Sequence, residues 1–315
     1  MDNLTHSLIG AALGQAGLKR KTGLAIPALI IAANLPDIDA GCAIYGIESL
    51  AMRRGLTHGP IAMVLLPLLL AGALWWFDRW QDRRGKRPVG RMPLHFGWLL
   101  ALCMIGTLSH PAFDWFNNYG IRLLEPFSSQ WFYGDTLFII DPWIIAMLGA
   151  GIWFSLRRER GHLPAGPKPV RIAIGATTGY IALNWLISGL AVAGIYDGPS
   201  TKVVSAVPGT FWRREVLWRD DGRTKIARPP ESFGRWQFSI IGDWQPNQME
   251  NLGSTNMSDP RIAEWSKNDP AAQAFLFWAR MPIAELHDDR IILRDLRFMN
   301  PLTADQFSVT LRPTP

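Results

Sequence analysis

His110 and Asp114 stand four residues apart at the polar end of an apolar run, within TLSHPAFDWFNNYG, residues 107–120. On a helix this spacing puts an imidazole and a carboxylate on one face, where the two can chelate one cation. A His closing a membrane helix before an Asp that opens a loop would look the same, so the weight falls on recurrence. Asp2 and His6 repeat the spacing at the start of the first apolar stretch, although Asp2 also suits a helix start, where the dipole favours a carboxylate. Asp37 and Asp39 follow Pro36, and in an extended segment they point the same way. Such a pair repels itself unless a cation or proton lies between; the alternative is a Pro-Asp turn. His58 lies in RRGLTHGP, residues 53–60. There Arg54 offers a guanidinium suited to a phosphate or, with Arg53, to lipid headgroups. Asp135 and Asp141 flank the start of a later apolar run. Asp141, inside apolar sequence, is either a functional group or an acceptor for nearby backbone N–H groups. His95 belongs to a basic loop, and His162 and His287 read as surface residues.

Together these give a metal set of His6, Asp37, Asp39, His58, His110 and Asp114, with Asp2 and Asp135 in reserve. Mixed imidazole and carboxylate donors suit Zn²⁺ first, with Mn²⁺ or Fe as alternatives. Six ligands exceed the roughly three that one catalytic zinc uses, so two or three ions are expected. The chemistry such a cluster supports is a water activated near neutral pH and a clamped phosphoester oxygen. Asp39 or Asp135 would serve as general base and Arg54 as the substrate-binding residue.

The elements that must position these groups are mostly apolar. Of 315 residues, 48% are hydrophobic and 18% charged, and the apolar ones cluster, as in a membrane protein. The stretches 4–18, 23–33, 60–77, 94–109, 136–156 and 170–195 predict six membrane segments. The first two are short: a helix over 4–18 reaches about 22 Å, against about 30 Å of hydrocarbon. Gly10, Gly14 and Gly17 on the first would admit a close neighbouring helix. From Asp197 charges and prolines appear, alternation at 238–241 and 291–298 predicts strands, and 270–280 resembles a helix. The expected fold is an α-helical integral membrane bundle over residues 1–196, followed by a soluble α+β or β-rich domain over 197–315.

The net charge of +6 does not imply nucleic acid. No basic stripe carries base-stacking aromatics, and the basic residues gather at 19–21, 78–91 and 157–171, loops that the positive-inside rule assigns to the cytoplasm. Six crossings then put every candidate ligand and the C-terminal domain on the opposite side, and Arg53 and Arg54, on that outer side too, run against the rule. Membrane lipids are the expected partners, and the oligomeric state stays open. Cys42 and Cys103 predict no disulfide, since Cys103 lies inside an apolar run. The start, MDNLTH, lacks the cationic region of a secretory signal and is expected to be retained. A transport path needs polar groups near the bilayer midplane, whereas these lie at segment ends; a metal-stabilised scaffold remains the other non-enzymatic reading.

MDxxTH, LPDID, RGxTH and HPxxDWxNxYG, in that order over residues 1–150, resemble the bacterial membrane-bound metal-dependent hydrolase family that includes YdjM and YbcI. The tail block LRDLRF, residues 293–298, is similar too. That family is thought to be related to zinc-dependent phospholipase C and the S1/P1 nucleases. The resemblance implies a bacterial inner-membrane, multi-pass protein, in which the charge distribution puts the site and C-terminal domain on the periplasmic side. It also implies a metal-dependent hydrolase, for which the ligand cluster and Arg54 point to a phosphoester substrate, phospholipid included. By it, His110 and Asp114 form the helical HxxxD pair, and His6, one of Asp37 and Asp39, and His58 supply the other ligands. One departure stands out: Gly59 replaces the family's Ser after Thr57-His58, which removes a hydroxyl near the ligand.

Overall fold

The computed structural model describes the chain except residues 162–165, 195–200, 221–230, 241–249, 300–302, 304–305 and 314–315. His162, Asp197 and Ile241, named above, lie outside the described residues. The chain forms two compact units, Met1–Ile38 with Arg54–Leu183 and Asp39–Arg53 with Asn184–Pro315. The helices in chain order are α1 (Asn3–Gln15), α2 (Ala25–Asn34), the single turn α3 (Ser49–Met52), α4 (Pro60–Arg83), α5 (Phe96–Trp115), α6 (Pro142–Arg160) and α7 (Lys168–Gly194).

Four helical stretches are long and apolar enough to cross a membrane: Ala25–Met52, Pro60–Arg83, Phe96–Trp115 and Lys168–Gly194. The six segments expected from sequence are thus four by this measure among the described residues. The 13 residues of α1 are too few, and the last turn of α6 carries Arg157, Arg158 and Arg160. The run 136–156 also does not begin as a helix at Thr136. Asp141 caps α6 by accepting from Trp143 N at 3.0 Å and Ile144 N at 3.1 Å, and Pro142 takes the first helical position, where a missing N–H costs nothing. Tyr180 Oη donates to the other Asp141 oxygen at 2.9 Å. The alternative role for Asp141, an acceptor for local donors, is the one seen.

Small residues bring the site-bearing helices together. A Cβ on Gly10 of α1 would lie 2.6 Å from the Leu29 carbonyl oxygen of α2. One on Gly106 of α5 would lie 2.7 Å from Ala32 Cβ and 2.9 Å from the same Leu29 oxygen. Both helices therefore approach α2 at nearly backbone contact, with Ala28, Ala32, Leu99 and Cys103 buried around the seam. Cys42 and Cys103 are free thiols. At the other ends of these helices the basic loops meet: Lys19 pairs with Glu159, and Arg171 Nε donates to the Ala16 carbonyl.

In the second unit, β1 (Thr201–Ala206), β2 (Arg213–Arg219), β3 (Ser232–Ser239) and β4 (Glu250–Ser254) form an antiparallel sheet in sequential order. Helices α8 (Pro260–Ser266) and α9 (Pro270–Trp278) follow, then β5 (Pro282–Leu286), β6 (Ile291–Asp295) and β7 (Ser308–Leu311) in a second antiparallel sheet. Asp259 and Asp269 each cap a helix that opens on proline. The expected strand over 291–298 stops at Asp295, whose carboxylate accepts the Arg297 amide and turns the chain into a 3₁₀ turn. Composition changes at Asp197, but the compact units part within α7. Ile187 and Ala191 pack with Val204, Val216 and Trp236. Arg214, 1% exposed, donates to Ser188 Oγ at 2.9 Å and Asn184 Oδ1 at 2.6 Å.

Candidate metal centre

Asp37, His58, His110 and Asp114 are all buried, and each offers one ligand atom within 4.8 Å of the others. His110 and Asp114 sit one helical turn apart on the buried face of α5. Pro111 between them removes the amide that would bond the Thr107 carbonyl. Asp37 comes from the 3₁₀ segment that continues α2, Leu35–Glu48. His58 ends the 3₁₀ turn Leu56–His58 just before α4.

The imidazoles are aimed by their second nitrogens. His110 Nδ1 lies 2.7 Å from the Ala33 carbonyl oxygen, which requires an N–H there and leaves Nε2 as a lone-pair donor. His58 Nδ1 lies 2.9 Å from Thr57 Oγ1. His110 Nε2 makes no hydrogen bond; it faces Asp37 Oδ1 at 3.6 Å and Asp114 Oδ2 at 3.5 Å. His58 Nε2 lies 3.6 Å from the same Asp114 oxygen. Ligands at about 2.0–2.2 Å around a tetrahedral ion stand roughly 3.3–3.6 Å apart, so these three spacings are those of neighbouring ligands on one divalent cation, while the remaining pairs lie within 4.8 Å. The donors are nitrogen and oxygen only, a set that suits Zn²⁺, Mn²⁺ or Fe.

His6 flanks this group. Its ring stacks on His110 with centroids 3.8 Å apart, and its Nε2 lies 3.3 Å from Asp114 Oδ1. The Met1 amino nitrogen also rests on Oδ1. Asp114 therefore turns one oxygen to His58 and His110 and the other to His6. Asp2 is spent on α1, accepting from Thr5 N at 3.0 Å and Thr5 Oγ1 at 2.6 Å, so its helix-start reading is the one seen. Asp39 is not among the four converging groups and belongs to the second unit. Asp135 is also outside the four. It adopts a left-handed backbone, φ 49°, in the loop that Gly134 presses against the Trp115 carbonyl at the end of α5.

Arg54 is 4% exposed and turned inward. Its Nε stands 3.0 Å from Asp114 Oδ2, an ion-pair distance off the line of a good hydrogen bond, and Nη1 donates to Asn117 Oδ1 at 3.0 Å. The guanidinium stacks on Tyr119 at 4.5 Å. Arg54 holds φ 53°, a conformation that costs a non-glycine residue about 1 kcal/mol or more and persists only where surroundings impose it. Asn117, Tyr119, Thr57 and the Ala33 carbonyl were not singled out from sequence. The signal for three of them was present, since Thr57 precedes a ligand and Asn117 and Tyr119 lie in DWxNxYG. Gly59 has a steric reason here: a Cβ would fall 1.9 Å from the Glu125 carbonyl oxygen. A serine at that position would displace the turn that carries His58.

Apolar helices gathered around a buried cluster of histidines and aspartates define a membrane protein with a candidate metal centre. The family model described as YdjM inner membrane protein matches residues 1–197, and the chain belongs to that family. It is also 28% identical over 170 residues to a Bacillus subtilis (strain 168) protein described as "Uncharacterized protein YfhP", covering 49% of this chain. The chain spans about half the length of this curated relative, 47%. No solved structure matches it.

Proposed function

We propose that this protein is a metal-dependent hydrolase of phosphoesters, phospholipids included, with its site at the outer face of a bacterial inner membrane. The observation that carries the reading is the convergence of two imidazole nitrogens and two carboxylates at metal-shell spacing. Structural zinc sites draw mainly on cysteine, and neither cysteine belongs to this group. Nitrogen and oxygen sets are the catalytic kind. Asp37, His58, His110 and Asp114 would hold one ion, and His6 with the second oxygen of Asp114 would extend the centre to another. These residues would hold an ion whose chemistry would be to activate a water and polarise the ester oxygen.

The chain's own residues do the rest. The Ala33 carbonyl sets the tautomer of His110, and Thr57 orients the ring of His58. Arg54 fixes Asp114 and offsets one of the two carboxylate charges. Asp135, in the loop before α6, is the candidate general base. The positive-inside distribution supports an outer site, and α1 and α6 would lie in the bilayer beside the four longer helices.

A second reading, a metal-stabilised scaffold, is favoured by burial: His110 and Asp114 are 0% exposed and His58 1%, as in a closed structural site. The test is metal content of the purified protein together with hydrolysis of bis-p-nitrophenyl phosphate and of phospholipid vesicles, with His110→Ala and Asp114→Ala alongside. The hydrolase reading expects bound metal and turnover, both lost in the variants. Bound metal without turnover leaves the scaffold. A folded, metal-free wild type ends both.

A further inference from the structure

Away from the metal ligands, α6 and α7 pack through small residues. A Cβ on Gly151 would lie 2.4 Å from Ala173 Cβ and 3.2 Å from Val170 Cα, and Val170 N donates to the buried Ser155 Oγ at 3.0 Å. Larger side chains flank this seam and leave a groove of about 490 Å³, within the roughly 300–1,000 Å³ of small-molecule sites. Gly151 and Ala173 line it with Met147, Phe154 and Ile172, and Arg158 and Lys168 line it too. Both cations stand at the end where α6 finishes and α7 begins. Phe154 is 51% exposed and Ile172 61%, and α7 is one of the four helical stretches long and apolar enough to cross a membrane.

The nearby charges favour an anion. Glu159, the carboxylate adjacent in sequence, is paired with Lys19. Arg157 stacks over Trp153 at 5.1 Å, an aromatic–cation pairing found at headgroup depth. An apolar slot that ends in two basic side chains has the charge pattern of one molecule with an acyl chain and a phosphate. Basic pockets between membrane helices recognise anionic headgroups in this way.

We propose that the α6–α7 groove binds an anionic phospholipid, one acyl chain lying along Met147, Phe154 and Ile172 and the phosphate between Arg158 and Lys168. The site is separate from the metal centre and does not depend on hydrolysis.

The experiment is native mass spectrometry of the full chain released from detergent with phosphatidylglycerol or with phosphatidylcholine of the same acyl chains. Wild type should retain phosphatidylglycerol preferentially. The double variant Arg158→Gln/Lys168→Gln should lose roughly 30-fold in its retention, as two basic contacts of about 1 kcal/mol each predict. Ala150→Trp, which fills the groove without altering charge, should reduce both lipids. Equal uptake of the two lipids by wild type, undiminished phosphatidylglycerol in either variant, or displacement by excess inorganic phosphate would overturn the proposal.

Discussion

Asp114 is the residue on which the candidate centre turns. It takes Arg54 Nε at 3.0 Å, His110 at 3.5 Å and His58 at 3.6 Å on one oxygen, and His6 at 3.3 Å on the other. A carboxylate with no exposed surface needs such compensation. Arg54 contributes a planar fork that reaches Asp114 and Asn117 together while stacking on Tyr119. Lysine keeps the charge but not the fork. Arg54→Lys should therefore fold yet bind metal roughly 10–100-fold more weakly, the usual effect of removing a partner that orients a ligand. Titration with Zn²⁺ by calorimetry measures this, and wild-type affinity in the variant would refute the positioning role.

At the scale of elements, the centre exists because α1 and α5 both reach α2 at Leu29. Gly10 and Gly106 make that approach, and neither leaves room for a Cβ. Gly106→Leu has nowhere to place its side chain without separating α5 from α2. Overpacking of this kind costs about 1–3 kcal/mol, and here it would also move His110 and Asp114 away from Asp37. The expected outcome is a lowered melting temperature in detergent together with reduced metal content. Full metal content at a lowered melting temperature would show that the cluster tolerates a shift of α5.

At the scale of the whole molecule, the C-terminal unit has its own polar anchor in Asp295 and Arg297, neither side chain exposed. Burial alone would raise the Asp295 carboxyl. Arg297, with the backbone amides of Arg297 and Met281, outweighs that and holds it below the usual carboxylate value. A group whose pKa is depressed on folding stabilises above its unfolded value, about 3.9, and that contribution fades as pH falls through and below it. The Asp295 contribution to the thermal stability of the full chain should therefore be independent of pH near neutrality and weaken on acidification below about pH 4. Asp295→Asn should lower stability at neutral pH and flatten the acid slope. An acid slope unchanged in that variant would assign the loss to other carboxylates.

Much of this was legible in the chain because local chemistry writes it there. Long apolar runs mark α4, α5 and α7, and an i, i+4 pair on one of them puts His110 and Asp114 on a single face. The helix-like run at 270–280 marks α9, and alternation marks strands in the tail. Tertiary structure alone decided the rest, since it depends on which surfaces meet. It selected Asp37 rather than Asp39 for the four-residue cluster and turned Arg54 inward onto Asp114. It assigned Asp2 to a helix cap and drew the last turns of α7 into the C-terminal unit. Spacing along a chain tells which residues share a face; only packing tells which faces share a centre.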